Sequence, residues 1–175
     1  MNREEVILVD EFDKEIGVME KLEAHQKGLL HRAISVFVFN DQGEMLLQQR
    51  ALSKYHSPGL WTNTCCSHPR PDENVSDAAV RRLKEEMGLN CSLNKKFEFL
   101  YKAEFDNGLI EHEYDHVFVG ISNTQPVINK SEVEEYQWIH PDLVNRMIVE
   151  YPENFTPWFK ILLTNHSTEL IENNL

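Results

Sequence analysis

The sequence predicts an α/β domain of the mixed α+β kind, layered around a mixed sheet. Three observations carry that prediction. Runs rich in β-branched and aromatic residues recur through residues 33–50 and 97–122, with the composition of strands. Residues 76–87 set Ala79, Leu83 and Met87 four apart, the repeat of a helix with one buried face. Strands and helices do not alternate regularly, as they would in a doubly wound sheet. No repeat, low-complexity tract or Pro/Gly/Ser linker divides the 175 residues, so residues 1–175 are expected to form a single domain.

Taken in order, residues 5–9 and 16–19 bracket Asp10-Glu-Phe-Asp-Lys-Glu15 and read as a short N-terminal hairpin. Residues 19–26 can make a helical turn that ends near Gly28. Residues 33–40 form a strand, and Asp41-Gln-Gly43 turns it into a second at 44–50. Pro58-Gly59 marks a loop before a short extended run at 61–67. The helix at 76–87 can be capped by Asn74 or Ser76 and is stopped by Gly88. Strands at 97–105 and 109–122 flank Asp106-Asn107-Gly108, a strong turn signal. A strand at 135–139 leads into a helix at 141–151 opened by Pro141, and residues 159–172 form a last helix.

Composition narrows the function. With 41% apolar and 26% charged residues the chain reads as a soluble globular protein. No apolar run approaches the roughly 20 residues a membrane span needs, and Met-Asn-Arg-Glu-Glu has no apolar stretch behind a basic start, so no signal peptide is expected. Three cysteines, at 65, 66 and 91, make no disulfide framework and favour a reducing compartment. A cytoplasmic location is expected; the length fits a monomer and leaves a dimer open. Seventeen Lys and Arg against 29 Asp and Glu give a net charge of −12, which argues against nucleic-acid binding by bulk electrostatics. A phosphorylated ligand would need a local basic pocket or a metal.

His25, His31, Cys66, His68, Glu111 and Glu113 offer imidazole, thiolate and carboxylate groups that divalent metals accept. On an extended segment Cys66 and His68 share a face, as do Glu111 and Glu113 with His112 opposite, so these pairs and the two earlier histidines can close one site. Surface histidines and solvated carboxylates would give the same pattern. By that parity Cys66 faces the pocket and Cys65 packs behind it as a small apolar group. Glu73, Arg81, Arg82, Glu85 and Glu86 lie on or before the helix at 76–87. They read as ion pairs on a solvated face, or as a Mg²⁺ site that bridges phosphates. Lys21, Arg50, Lys54 and Arg82 are surface charge or a phosphate clamp. Trp61, Tyr101 and Trp158 are core aromatics or a π-face over a developing cation.

Residues 67–89 are similar to the Nudix box, Gly-x5-Glu-x7-Arg-Glu-U-x-Glu-Glu-x-Gly-U with U bulky and apolar. The match runs through Glu73, Arg81, Leu83, Glu85, Glu86, Gly88 and Leu89. Ser67 replaces the usual glycine, and Arg82 replaces a glutamate used by hydrolases. Beyond the box the chain resembles the type I isopentenyl-diphosphate isomerases, a branch of the same superfamily. Lys21-Leu-Glu-Ala-His25, Gln49-Arg-Ala-Leu-Ser-Lys54, Trp61-Thr-Asn, Cys66-Ser-His-Pro69, Gly108-Leu-Ile-Glu-His-Glu113 and Thr156-Pro-Trp158 carry the likeness across nearly the whole chain.

The resemblance implies a Nudix-like α/β/α sandwich with the N-terminal hairpin as an extension. It implies conversion of isopentenyl to dimethylallyl diphosphate in isoprenoid biosynthesis, with Cys66 and Glu113 moving protons and Tyr101 assisting. His25, His31, His68, Glu111 and Glu113 would hold one divalent ion (Mn²⁺, Zn²⁺ or Mg²⁺), and Glu86 would contribute to a Mg²⁺ site that bridges the diphosphate. Lys21, Arg50, Lys54 and Arg82 would bind that diphosphate, and Trp158 would cover the isoprenyl tail. The alternatives are a Nudix pyrophosphohydrolase, kept open by Arg81, Glu85 and Glu86, and a metal-dependent sensor without turnover. His56, His112, His116, His140 and His166 receive no role.

Overall fold

The computed structural model describes residues 4–171; the Met-Asn-Arg start and Glu172, the end of the last expected helix, lie outside the described residues. Strands β1 (Glu5–Val9) and β2 (Glu15–Glu20) form the expected antiparallel hairpin. Helix α1 (Lys21–Lys27) follows directly, capped by the Glu20 carboxylate and ended by Gly28 at φ 63°. Strand β3 (His31–Phe39) pairs antiparallel with β1, β4 (Met45–Arg50) and β6 (Cys65–Ser67), and parallel with β8 (Ile110–Ile121). β8 pairs antiparallel with β7 (Leu93–Glu104), and β4 with β5 (Trp61–Thr62) and β9 (Val133–Ile139). All nine strands belong to one mixed sheet.

The sheet is buried on both faces, which is why β3 reads as an unbroken apolar run. Phe37 and Phe39 pack with Leu47, Val119 and residues of the helices α3 (Pro141–Glu150) and α4 (Pro157–Ile171), among them Val144, Phe159 and Leu162. Val36 and Val38 face the other way, onto Leu46, Phe118 and the Ala79, Leu83 and Met87 stripe of helix α2 (Val75–Met87). Helices therefore cover both faces of a mixed sheet, as expected. None among the described residues is long and apolar enough to cross a membrane.

Three local features differ from the sequence reading. The run at 61–67 is two strands, because side chains take over the ladder between them. Asn63 Nδ2 donates to the carbonyls of Val36 and Cys65 at 3.2 and 2.8 Å, and Thr64 Oγ1 donates to Leu46 O at 2.7 Å while accepting from Val38 N at 2.8 Å. Strand β7 begins at Leu93, four residues before the apolar run that marks it, since its early residues pair with Val117–Gly120 at the far end of β8. Helix α4 is kinked at His166, where φ is −131°. At α2 the open choice of cap resolves to Asn74, whose side chain accepts from Ser76 N at 2.9 Å.

The end of α2 is where a glycine is required. Gly88 sits at φ +66°, and a Cβ there would lie 2.6 Å from the carbonyl oxygen of Val127. The same segment is held by Val127 N donating to Met87 O at 2.9 Å, so it cannot retreat freely. Gly88→Ala is expected to lower stability by about 1–3 kcal/mol, the usual cost of holding a side chain in a disfavoured backbone region. Urea unfolding measures it, and an unchanged midpoint would contradict the tight-approach argument.

Candidate active site and metal centre

Six elements converge on one site. Helix α1 contributes Lys21 and His25 one turn apart, and β3 opens on His31. The parallel register sets His31 opposite Glu113, and the β7–β8 register sets Tyr101 on the other side of that glutamate. Cys66 and His68 arrive from β6 and its exit, and Arg82 and Glu86 from α2. Cys66, His68, Glu111, Glu113, Tyr101 and Trp158 line an enclosed cavity of about 50 Å3. Lys21, Lys54, His68 and Arg82 line both that cavity and an adjoining groove of about 660 Å3.

The histidines are held in one tautomer by the backbone. His25 Nδ1 donates to Lys21 O at 2.7 Å and His31 Nδ1 to Leu29 O at 2.8 Å, so both rings turn Nε2 inward. Both Nε2 atoms are buried without a partner. His68 Nε2 lies 3.0 Å and His31 Nε2 3.5 Å from Glu113 Oε1. Donor atoms of His25, His31, His68 and Glu113 all lie within 4.8 Å of one another, and all four residues are buried. Unpartnered imidazole nitrogens aimed at one carboxylate fit a divalent cation and little else. Glu111 falls outside this set of four and groups instead with His25 and His56, a residue the sequence reading left without a role.

Charge in the cavity is rationed. Burial works against a charge on Glu113, but His31 and His68 override it and hold its carboxyl well below the usual range. Burial and then the charge of Glu113 push Glu111 up. Tyr101 O–H donates to Glu113 Oε2 at 2.5 Å and lies 3.2 Å from Glu111 Oε2. Burial lowers His25 and takes His68 down to about 3, and burial with the Arg50 guanidinium takes His56 down to about 2. The Cys66 thiol, buried, is pushed up to about 12. The neutral imidazoles of His25, His56 and His68 and a protonated thiol therefore surround one ionised carboxylate.

The cations on the groove side each hold a carboxylate. Lys21 pairs with Glu4 at 3.1 Å, Lys54 with Glu132, and Arg82 with Glu86 at 2.6 Å and Glu132 at 3.4 Å. Gln48 Nε2 donates to the other oxygen of Glu86 at 2.9 Å. Arg81, adjacent to Arg82, shares Glu85 with it and grips Glu73 through two bonds of 2.6 and 2.7 Å, tying the loop before α2 to the helix. Arg50 is stacked over Trp158, its guanidinium carbon 5.1 Å from the ring centre, so one face of that indole is already covered. Trp61 packs against the core on the α4 side. Cys65 is fully buried among the α2-side residues, and Cys66 lines the cavity.

Besides His56, the sequence reading missed Glu132 and Asp115. Glu111, Glu113 and Asp115 alternate on β8, and that parity carried two residues further would have found Asp115. His56 and Glu132 sit in loops, where no periodicity signals orientation.

Comparison with known proteins gives the family. Residues 29–159 match the NUDIX domain family model. The chain is 55% identical over 157 residues to a protein of Pectobacterium atrosepticum named isopentenyl-diphosphate Delta-isomerase, spanning 90% of this chain and 88% of that one. It is 50% identical to isopentenyl-diphosphate Delta-isomerase 2 of Aromatoleum aromaticum, spanning 91% and 85%. Among solved structures, a Deinococcus radiodurans protein aligns with a TM-score of 0.76 at 18% identity, covering 93% of this chain and 99% of that chain. The MutT protein of Methanosarcina mazei aligns at 0.66 and 19%, covering 80% and 94%. Those two likenesses concern the fold alone.

Asp115 gives this site a testable pH signature. It is 1% exposed, Ser35 Oγ donates to its Oδ2 at 2.7 Å, and its Oδ1 has no partner. Burial and then the charge of Glu113 push it up to about 8, against the opposing Ser35 bond. The native state then keeps a proton that the unfolded chain releases near 3.8, so stability falls as pH rises from about 4 to about 8. In metal-free protein, Asp115→Asn should gain on the unmutated chain by up to about 1.4 kcal/mol per pH unit across that window. Urea unfolding at several pH values reads the difference, and a difference independent of pH would contradict it.

Proposed function

The chain belongs to the NUDIX family and, within it, to the isopentenyl-diphosphate Delta-isomerases; on that premise we propose how its residues interconvert isopentenyl and dimethylallyl diphosphate. The observation that carries the mechanism is the pairing of a protonated thiol, Cys66, with an ionised carboxylate, Glu113, in one closed cavity beside a cation-lined groove. The reaction moves a double bond by adding a proton to the terminal methylene carbon and removing one from the carbon beside the oxygen-bearing CH₂. Between the two steps lies a tertiary carbocation-like state. Cys66 and Glu113 are the two proton-moving groups. Each forward turnover leaves the donor short of one proton and the acceptor with one more, and a proton exchange between them restores the pair.

Tyr101 O–H, 2.5 Å from Glu113 Oε2, steadies that carboxylate and moves its proton. Trp158 and Tyr101, 3% and 7% exposed, keep out the water that would trap a cation. The diphosphate is bound by Lys21, Arg50, Lys54 and Arg82, exchanging places with the carboxylates of Glu4 and Glu132. His25, His31, His68, Glu113 and Glu111 would hold a divalent ion (Mn²⁺, Zn²⁺ or Mg²⁺) and Glu86 a Mg²⁺; these supply positive charge that lowers the proton affinity of Glu113 and neutralises phosphate. The reading takes residues 1–175 as one working unit, a cytoplasmic monomer whose partner is the small-molecule substrate, in keeping with its net charge of −12. The hydrolase alternative is not favoured, because Arg82 spends its guanidinium on Glu85 and Glu86 at 2.8 and 2.6 Å where a hydrolase has another carboxylate.

Three measurements test this. Purified protein incubated with isopentenyl diphosphate and Mg²⁺ should form dimethylallyl diphosphate; release of inorganic phosphate instead, or no reaction, would overturn the assignment. Brief chelation should abolish turnover and added divalent ion should restore it, whereas full activity in rigorously metal-free protein would remove the metal from the mechanism. Cys66→Ala should lose at least about 10²–10⁴-fold in turnover, while Cys65→Ala should cost on the order of 1 kcal/mol of stability and little activity. The reverse result would displace Cys66 from its role.

A further inference from the structure

We infer that His56 is a positioning residue of the metal centre: its imidazole brackets Glu111 from the side away from Tyr101 and keeps that carboxylate available to the divalent ion. The inference rests on the metal-dependent reading above but is carried by separate geometry. Glu111 is 4% exposed. Tyr101 O–H lies 3.2 Å from its Oε2, and His56 Nε2 lies 3.5 Å from its Oε1. The other ring nitrogen of His56 is buried without a partner, so the Nε2 edge is the one with work to do.

The ring cannot drift from that position. It stacks on His25 with centroids 5.7 Å apart, and meets Tyr55, Phe105 and Trp158 at 4.7, 5.1 and 5.9 Å. Its own carbonyl accepts from Arg50 Nη2 at 3.2 Å. A functional side chain is held to useful tolerance by this kind of packing around a ligand, not by the ligand alone.

Donor atoms of His25, His56 and Glu111 lie within 4.8 Å of one another, as do those of His25, His31, His68 and Glu113. His25 belongs to both sets but has one ring nitrogen to offer, because Nδ1 is committed to Lys21 O. An ion on His25 Nε2 would therefore lie within reach of both sets. Glu111 would join that ion as a ligand from the side on which His56 meets it. Without a ring nitrogen at that place, Glu111 Oε1 would lose the polar neighbour that lies 3.5 Å from it, and the carboxylate would be free to turn away.

The test uses the full-length protein stripped of metal and titrated with Mn²⁺ or with Zn²⁺. His56→Phe keeps the ring packing and removes the donor, and His56→Gln restores an N–H of similar reach. Thermal unfolding of the metal-free proteins checks the fold, with His56→Leu replacing the phenylalanine variant should that one not fold. His56→Phe is expected to weaken ion binding about 10–100-fold, with His56→Gln recovering most of the loss. In turnover, kcat at limiting ion should fall while KM for isopentenyl diphosphate holds. Because the effect runs through Glu111, His56→Phe added to Glu111→Gln should weaken the ion no further than Glu111→Gln alone. Undiminished affinity in His56→Phe, equal losses in the phenylalanine and glutamine variants, or additive losses in the double variant would each overturn the inference. An unmutated protein that shows these affinity differences yet does not turn over would instead overturn the isomerase reading.

Discussion

Glu113 has to remain charged where water cannot reach it, and most of the polar arrangement around the cavity follows from that demand. Stranding a carboxylate in a dry interior is costly unless its oxygens are met by donors. Here one oxygen is met by His68, with His31 3.5 Å away, and the other by Tyr101. The demand spreads to the neighbours. Burial and that same charge force Glu111 and Asp115 towards their protonated forms, and the Cys66 thiol stays protonated beside them. The imidazoles of His25, His56 and His68 stay neutral. Ring nitrogens gathered around one carboxylate in this way suit a divalent ion.

Several jobs in this fold are divided between residues adjacent in sequence, and the division follows from local periodicity. Cys65 and Cys66 lie on a strand and face opposite cores, one against α2 and the other at the cavity. Arg81 and Arg82 lie on a helix about 100° apart. Arg81 secures the loop through Glu73 and Arg82 reaches Glu86 and Glu132, so the Nudix box contains a structural half and a site half. Phe37 and Val38 make the same partition in the sheet, each feeding a different hydrophobic layer.

What could be read from sequence was whatever a period of two or of about 3.6 residues controls. The hairpin, the α2 stripe, the Cys66–His68 pairing and the Glu111–Glu113 face all rest on that arithmetic, and the structure has each of them. The break between β5 and β6 was not readable, because Asn63 and Thr64 replace ladder bonds with side-chain bonds to β3 and β4, partners set by tertiary packing. His56 was hidden for a related reason: it follows Lys54-Tyr55 in a loop whose course depends on Arg50 and on the aromatic residues around it. The grouping of Glu111 with His56 apart from the other four donors is a matter of ångströms, and residue spacing does not resolve ångströms.

The parallel pairing of β3 with β8 also bears on how the protein comes into being. Ser35 and Asp115, joined across that pairing, are 80 positions apart in the chain, and His31 and Glu113 are its terminal pair. A parallel pair cannot be closed by a hairpin; everything from β4 to β7 must be made and folded out of the way first. Loop closure over such a span is a slow, non-local event. On the ribosome, His25 and His31 emerge long before their carboxylate partner exists, so the early chain holds imidazoles with no site to complete. A metal centre built from these residues would thus exist only once the sheet has closed.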